Sequence, residues 1–167
     1  MHVEDISSLK LDQEIKQRAI NVNDCLYVIE GEFEEDFEIL KMLQRSVMEE
    51  KVSKSFEREG QSFLLLFDIK KEKFIGFIVW VKNINYKDFS GSDILKQIYI
   101  TKSERNNGYG TKFLKFWVDN YANKVNGRFG ISLCIDSPLI PFLVRLGYAE
   151  RINDRIKPIK FYVSPRF

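Results

Sequence analysis

Ile94-Leu95-Lys96-Gln97-Ile98-Tyr99-Ile100, then Thr101-Lys102-Ser103-Glu104, then Arg105-Asn106-Asn107-Gly108-Tyr109-Gly110-Thr111: this stretch decides how the chain is read. Ile94 to Ile100 reads as a strand. Behind Thr111, the residues Phe113, Leu114, Trp117, Val118, Tyr121 and Val125 fall at i, i+1, i+4, i+5, i+8 and i+12, one face of a long helix that Gly127 closes. Gly108 and Gly110 therefore stand where a strand turns into a helix. They remove side chains at a place where a ligand would touch backbone. The first helical turn offers N–H groups without intrahelical partners at the positive end of the helix dipole. With Arg105 adding a charge, the junction is an anion site suited to a pyrophosphate. The Walker pattern G-x-x-x-x-G-K-[ST] is not met. The pattern G-x-G-x-x-G fails at its third glycine, where Phe113 stands. Neither an ATP nor an NAD site is supported.

Upstream, Leu26-Tyr27-Val28-Ile29 reads as a strand ended by Gly31. Phe33, Phe37, Leu40, Leu43 and Val47 place an amphipathic helix over 33–50, and a second helix or loop runs through Phe56 to Gly60. Ser62 to Ile69 and Phe74 to Val81 are apolar runs around the charged turn at 70–73, a β-hairpin. The second run suits a central strand buried on both faces. Asn83 to Ser92 is a turn-rich loop. Downstream, 131–135 is a strand, and Ser137 to Leu146 is a short helix with Pro138 in its first turn and Gly147 at its end. Tyr148–Ile152 and Ile159–Val163 read as a final antiparallel pair turning near Asn153-Asp154. Residues 1–24 form a polar, weakly patterned extension in which Leu9, Leu11, Ile15 and Ile20 mark a short helix. Residues 25–167 form a single domain. The class is α/β (α+β): a mixed, mostly antiparallel sheet flanked by helices, with one parallel crossover at 94–135.

Composition removes other chemistries. Of 167 residues, 14% are aromatic, which argues against disorder. The net charge of +2 is too balanced to imply nucleic-acid or membrane binding. Two cysteines, Cys25 and Cys134, make no disulfide framework and match no zinc spacing. The only histidine is His2, so a Ser-His-Asp or Cys-His machine has no base. The N-terminus has no secretory pattern, and Phe74 to Val81 is far below a membrane span of about 20 residues. The expectation is a metal-free, cytoplasmic protein.

The run Arg105-Asn106-Asn107-Gly108-Tyr109-Gly110 matches the signature [Gln/Arg]-x-x-Gly-x-[Gly/Ala] in full. In its strand–helix context the chain resembles the GNAT superfamily of acetyl-CoA-dependent N-acetyltransferases. The resemblance extends by element order over 26–163 and is most specific over 94–148. A second signature of that family, Asn-x-x-Ala-x-x-Phe-Tyr-x-Lys-x-Gly-Phe, aligns without a gap with Asp136-Ser137-Pro138-Leu139-Ile140-Pro141-Phe142-Leu143-Val144-Arg145-Leu146-Gly147-Tyr148. Phe142, Arg145, Gly147 and the aromatic Tyr148 agree. Asp136 replaces the Asn, and Leu143 replaces the Tyr that in many members protonates the departing CoA thiolate.

The resemblance implies a GNAT-like acyl-CoA N-acyltransferase fold with acetyl-CoA as cosubstrate. It implies that backbone groups of Ile98 and Ile100 pair with the pantetheine arm as an added strand. The amides of Asn106, Asn107, Gly108, Tyr109, Gly110 and Thr111 would wrap the pyrophosphate beside Arg105. Asp136 joins this set by its place in the second signature. The strand 131–135 would splay from 94–100 and open a cleft.

The acceptor is expected to be an amine of a small molecule or a protein, attacking the thioester directly in a ternary complex, with no nucleic acid, membrane or metal involved. Oligomeric state stays open between a monomer and a homodimer. Candidate bases are Glu30, Glu32 and Asp93. Glu30 and Glu32 belong to an acidic run that either draws a cationic amine or favours a helix N-terminus by its dipole. Asp93 is either a base acting through water or a turn residue. Ser137 and Tyr99 are the candidates to replace the missing acid, and the simpler reading of Tyr99 is packing. Two other functions remain in view: a CoA-binding or interaction module with little catalysis, and a GNAT-type toxin acting on aminoacyl-tRNA.

Overall fold

The computed structural model describes residues 19–32, 61–71, 73–82, 92–132 and 139–164. Within them the chain forms strands β1 (Ile20–Asn23), β2 (Leu26–Glu32), β3 (Gln61–Asp68), β4 (Lys73–Val81) and β5 (Ile94–Ile100). Helix α1 (Tyr109–Asn120), strand β6 (Phe129–Ser132) and helix α2 (Ile140–Arg145) follow, then strands β7 (Ala149–Ile152), β8 (Arg155–Pro158) and β9 (Phe161–Ser164). One sheet has the order β1-β2-β3-β4-β5-β6-β9, antiparallel through β5 and parallel from β5 to β6 to β9. β7 and β8 make a separate hairpin.

The apolar runs of β3 and β4 are the middle of this sheet. Every residue of β3 is buried, and every residue of β4 after Lys73. On one face Val28, Leu64, Leu66, Ile78, Trp80 and Leu95 meet the helical stripe Phe113, Leu114, Trp117 and Val118. Trp117 anchors the contact, its ring 5.8 Å from Trp80 and 5.5 Å edge-on from Phe129. Truncating a fully buried Trp such as this costs about 3–5 kcal/mol.

Several elements differ from the sequence reading. The segment read as an extension contributes β1, so Ile20 lies on an edge strand hydrogen-bonded to β2 and not on a helix. The long helix stops at Asn120. Val125 and Arg128 exchange backbone hydrogen bonds at 2.9 and 3.0 Å across Asn126 and Gly127, whose φ values are 53° and 74°. Gly127 is thus the second residue of a tight reversal with positive φ at both centres, not a helix cap. The strand after it starts at Phe129.

The last pairing also changes. Asn153 and Asp154, at φ 47° and 63°, form the same kind of turn, which obliges Ile152 to pair at once with Arg155. The Tyr148 carbonyl then accepts the N–H groups of Ile159 and Lys160, and β9 runs parallel to β6 with Phe161 on Phe129. The short helix stops as expected at Gly147 (φ 73°). Tyr148 N–H bonds the Leu143 carbonyl and Gly147 N–H that of Val144, a Schellman closure. The helix expected over 33–50, the segment through Phe56, the loop 83–91 and the start of the helix at 137–138 lie outside the described residues.

Candidate functional site

The site begins along β5. The ladder to β6 holds two pairs, Ile94 with Gly130 and Leu95 with Ile131, among the described residues. Immediately after them the β4–β5 register shifts, Val79 facing Gln97 and Trp80 facing Leu95, so Lys96 is the extra residue of a bulge. A bulge bends its strand and re-aims the residues beyond it. Further along, Thr101 N–H bonds the Ile75 carbonyl at 2.8 Å. Because antiparallel backbone groups alternate in direction, Tyr99 turns its polar groups toward β4, and Ile98 and Ile100 turn theirs away, toward the β6 side. Gly76 makes the close approach here, since any Cβ on it would strike the Tyr99 carbonyl oxygen.

The loop comes at once. A 3-10 turn, Lys102–Glu104, leads to Arg105, and Glu104 is buried with Lys73 3.6 Å away. Asn106 at φ 67° and Gly108 at φ 78° reverse the chain into α1. A Cβ on Gly108 would meet nothing within 4 Å, so glycine there serves the backbone torsion. The first intrahelical bond runs from Lys112 N–H to the Gly108 carbonyl at 3.2 Å. The N–H groups of Tyr109, Gly110 and Thr111 therefore stand outside the helical ladder. Asn106 and Asn107 are exposed, and Asn107 Nδ2 donates to the Glu104 carbonyl at 3.4 Å.

Two expected roles in this loop change. Gly110 is also required by packing. Its Cβ would lie 3.3 Å from Phe142 Cε1 and 3.8 Å from Ile100 Cγ1, so its smallness lets α1 seat against α2 and β5. Arg105 does more than add charge. Its Nε donates to the Ile100 carbonyl at 2.8 Å, and its guanidinium sits 5.5 Å from the centre of the Tyr99 ring. One of the outward carbonyls assigned to the pantetheine arm is thus already engaged.

The candidate catalytic side chains are not gathered in one place. Pairing runs Glu30–Leu64–Ile78–Ile98 along the α1 face, whereas Tyr99 pairs with Phe77 on the opposite face. The sheet itself separates Glu30 from Tyr99. Glu30 forms an exposed ion pair with Lys82 at 3.3 Å. Burial, and then the Glu30 charge, pushes the Tyr121 hydroxyl above its ordinary value. Tyr99 is buried, its ring stacked 5.1 Å from Phe77. Asp93 is buried at 4% exposure, with Oδ2 accepting the Asn123 N–H at 3.0 Å; its own N–H bonds the Asn123 carbonyl and its carbonyl accepts Gly130 N–H. It is a clasp joining the end of α1 to β5 and β6. Leu143 is fully buried in the core with Phe113 and Trp117 instead of facing a cleft. Ser137, Asp136 and Cys134, and the side chain of Glu32, lie outside the described residues. Gly76 and the Lys96 bulge, which sequence reasoning missed, also shape the site, as does the contact of Phe142 with Gly110. Phe142 was named for its agreement with the second signature, but not for this contact.

No protein-family model matches the chain, and no curated protein does. Solved structures do. The xEco2 acetyltransferase domain, solved with a CoA conjugate, aligns with a TM-score of 0.54 over 78% of this chain and 93% of that one, at 9% identity. The fold is that of the GNAT acetyltransferases. The aminoglycoside acetyltransferase meta-AAC0020, from an uncultured soil metagenomic sample, aligns at a TM-score of 0.51 over 87% of this chain and all (100%) of that one, at 11% identity. The integron cassette protein VCH_CASS6, from the mobile metagenome of V. cholerae, reaches 0.50 over 80% and 90% of the two chains, at 13% identity. Within this GNAT fold, the bulged β5 and the amides at the start of α1 lie along one continuous stretch of chain. Among the described residues, no helix is long and apolar enough to cross a membrane, and no three His, Cys, Asp or Glu side chains cluster as metal ligands.

Proposed function

We propose that the protein is a GNAT-type N-acetyltransferase that takes an acetyl group from acetyl-CoA to an amine of a small molecule or a protein. The observation that carries this reading is the continuity from β5 into α1. Outward backbone groups at Ile98 and Ile100 lead through the loop to three helical N–H groups outside the ladder. When bound, acetyl-CoA supplies a thioester carbon that the amine attacks, so that a C–N bond forms as the C–S bond breaks and the thiolate takes up a proton. The amides of Tyr109, Gly110 and Thr111 hold the pyrophosphate. The N–H and carbonyl of Ile98 and the N–H of Ile100 pair with the arm as a strand would. Where the acceptor paired with one of these N–H groups is the thioester oxygen itself, that bond stabilises the charge growing there.

An alkyl amine near pKa 10 must lose its proton before attack. Asp93 is committed to Asn123, and the Glu30–Lys82 pair is exposed and of the kind worth about 0–1 kcal/mol. We therefore assign proton removal to ordered water draining toward the solvent-exposed Glu30 side. Turnover should rise with pH as the amine deprotonates. The burial of Leu143 favours a second reading, a CoA-binding module with little catalysis. Calorimetry with CoA, followed by acetyl-CoA turnover over a panel of amines, tests both. No binding at millimolar CoA defeats the two together; binding without turnover leaves only the second.

A further inference from the structure

The first position of the loop signature accepts Arg or Gln, two residues of different charge. Arg105 shows what the two share. Its Nε, and not only its charge, is in use: Nε–H reaches the Ile100 carbonyl at 2.8 Å, five residues back along the chain. In Arg that nitrogen is bonded to Cδ. In Gln the amide nitrogen is also bonded to Cδ, so both side chains place an N–H donor the same number of bonds from Cα. In Lys that position is a methylene group. We infer that Arg105 is a positioning residue, acting on the cosubstrate site through the Ile100 carbonyl and not through its charge on a phosphate. This inference rests on the CoA reading above.

The latch has two effects. It ties the end of β5 to the loop just before the two positive-φ residues, Asn106 and Gly108. The amides of Tyr109 to Thr111 are thereby presented in one arrangement instead of being ordered at the ligand's expense. It also occupies an outward carbonyl at the strand end, so a strand-like ligand finds the Ile100 N–H there and must take its next acceptor from Ile98. The register of the arm is set by that choice. The flat guanidinium over Tyr99, itself stacked on Phe77, holds the latch in place. An ammonium reproduces neither the donor position nor the flat face.

The test compares the wild type with Arg105→Gln, Arg105→Lys and Arg105→Ala. Amide hydrogen exchange over 101–108 is measured in the ligand-free protein, and CoA affinity by calorimetry at two salt concentrations. Arg105→Gln should keep wild-type protection and bind CoA within about threefold, as one retained hydrogen bond requires. Arg105→Lys and Arg105→Ala should both exchange faster over 101–108 and bind about tenfold more weakly. The salt dependence of binding should be alike in all four. Two results overturn the inference: exchange that is the same in all four proteins, or Arg105→Lys binding like wild type while Arg105→Gln falls to the level of Arg105→Ala. A wild type that binds no CoA defeats both CoA readings above, and the exchange comparison then still decides whether Arg105 latches the loop.

Discussion

Gly110 on the first turn of α1 faces the ring of Phe142 on α2, so closely that a Cβ would lie 3.3 Å from Cε1 and 3.4 Å from Cζ. The two residues belong to the two separate signatures, and their contact joins them. The Arg145 guanidinium lies over the same ring, 4.8 Å from its centre. Gly110→Ala gains about 1 kcal/mol of helix propensity and loses a similar amount by displacing the ring, so its unfolding free energy should stay within about 1 kcal/mol of wild type. Gly110→Val should be destabilised by about 2 kcal/mol. Adding Phe142→Leu should restore more than half of that loss, a coupling of about 1 kcal/mol. Urea denaturation of the four proteins checks this. A stable Gly110→Val that has lost only CoA binding would return the glycine to the ligand.

Gly108 differs, because space is not its constraint. At φ 78° with nothing near the absent Cβ, substitution meets torsional strain alone. Gly108→Ala should cost about 1–2 kcal/mol, and Gly108→Asn clearly less, since Asn tolerates the left-handed region. If the loop amides hold a pyrophosphate, CoA affinity should track the same order, and calorimetry reads it directly.

These two glycines mark how far the sequence can be read. Their presence at a strand–helix junction was legible because glycine punctuates apolar patterns. The reason for Gly110 was not, because Phe142 sits on another helix and no spacing rule links them. The buried faces of β3, β4 and α1 were legible from continuous and helical apolar patterns. The end of α1 was not: Tyr121 and Val125 continue the helical spacing, yet the chain leaves the helix and reverses at Asn126-Gly127. The parallel seat of β9 on β6 was invisible as well. A four-residue strand takes whichever partner tertiary packing offers, here Phe129 under Phe161. In the candidate site the loop was readable and the catalytic side chains were not, since Glu30 and Tyr99 prove to lie on opposite faces of the sheet.

Asp68 makes the acid limb of stability a testable quantity. Desolvation by burial pulls its carboxyl upward, but the Lys71 N–H at 3.1 Å, the Cys25 thiol at 3.2 Å and the Lys70 backbone outweigh it and hold the group below its ordinary value. A depressed folded-state value means that the unfolded chain binds the proton more readily. The stability this group contributes is therefore present above the ordinary carboxylate value of about 4 and is lost as pH falls through the lower folded value. Asp68→Asn should be less stable at neutral pH and show a shallower decline below about pH 4. For Cys25 the sign is opposite: the hydrogen bond to Asp68, then desolvation and the Asp68 charge, raise the thiol. Its contribution is present below the ordinary thiol value and fades in alkali. Alkylation of Cys25 at mildly alkaline pH should be slow, and faster in Asp68→Asn.

Asp93 separates a clasp from a base. Its Oδ2 accepts the Asn123 N–H at 3.0 Å, which an amide oxygen could also do. Asp93→Asn should keep kcat within about threefold, whereas loss of a general base costs about 10²–10⁴. Asp93→Ala leaves the Asn123 N–H without its acceptor and should lower stability by about 1–3 kcal/mol. A hundredfold fall in kcat for Asp93→Asn, at unchanged stability and CoA affinity, would restore Asp93 as the base.

Leu143 stands where many members of the resembled family carry a tyrosine acid, and restoring that tyrosine is the obvious gain-of-function experiment. The structure predicts that it fails. Leu143 has no exposed surface, packs in the core with Phe113 and Trp117, and its carbonyl takes the Tyr148 N–H at 2.9 Å in the closure of α2. Rotating the position toward the site would break that closure. Left in place, a tyrosine adds a ring and a hydroxyl to a filled apolar site, at about 1–3 kcal/mol for overpacking and more for the unpaired hydroxyl. Leu143→Tyr should therefore melt earlier and show no rise in kcat. Leu143→Met, close in volume, should lose less than about 1.5 kcal/mol. Thermal denaturation and turnover at a temperature where both variants are folded decide the matter. Wild-type stability together with a tenfold rise in kcat for Leu143→Tyr would mean that α2 can present this position to the thiolate after all, and the core assignment of Leu143 would be wrong.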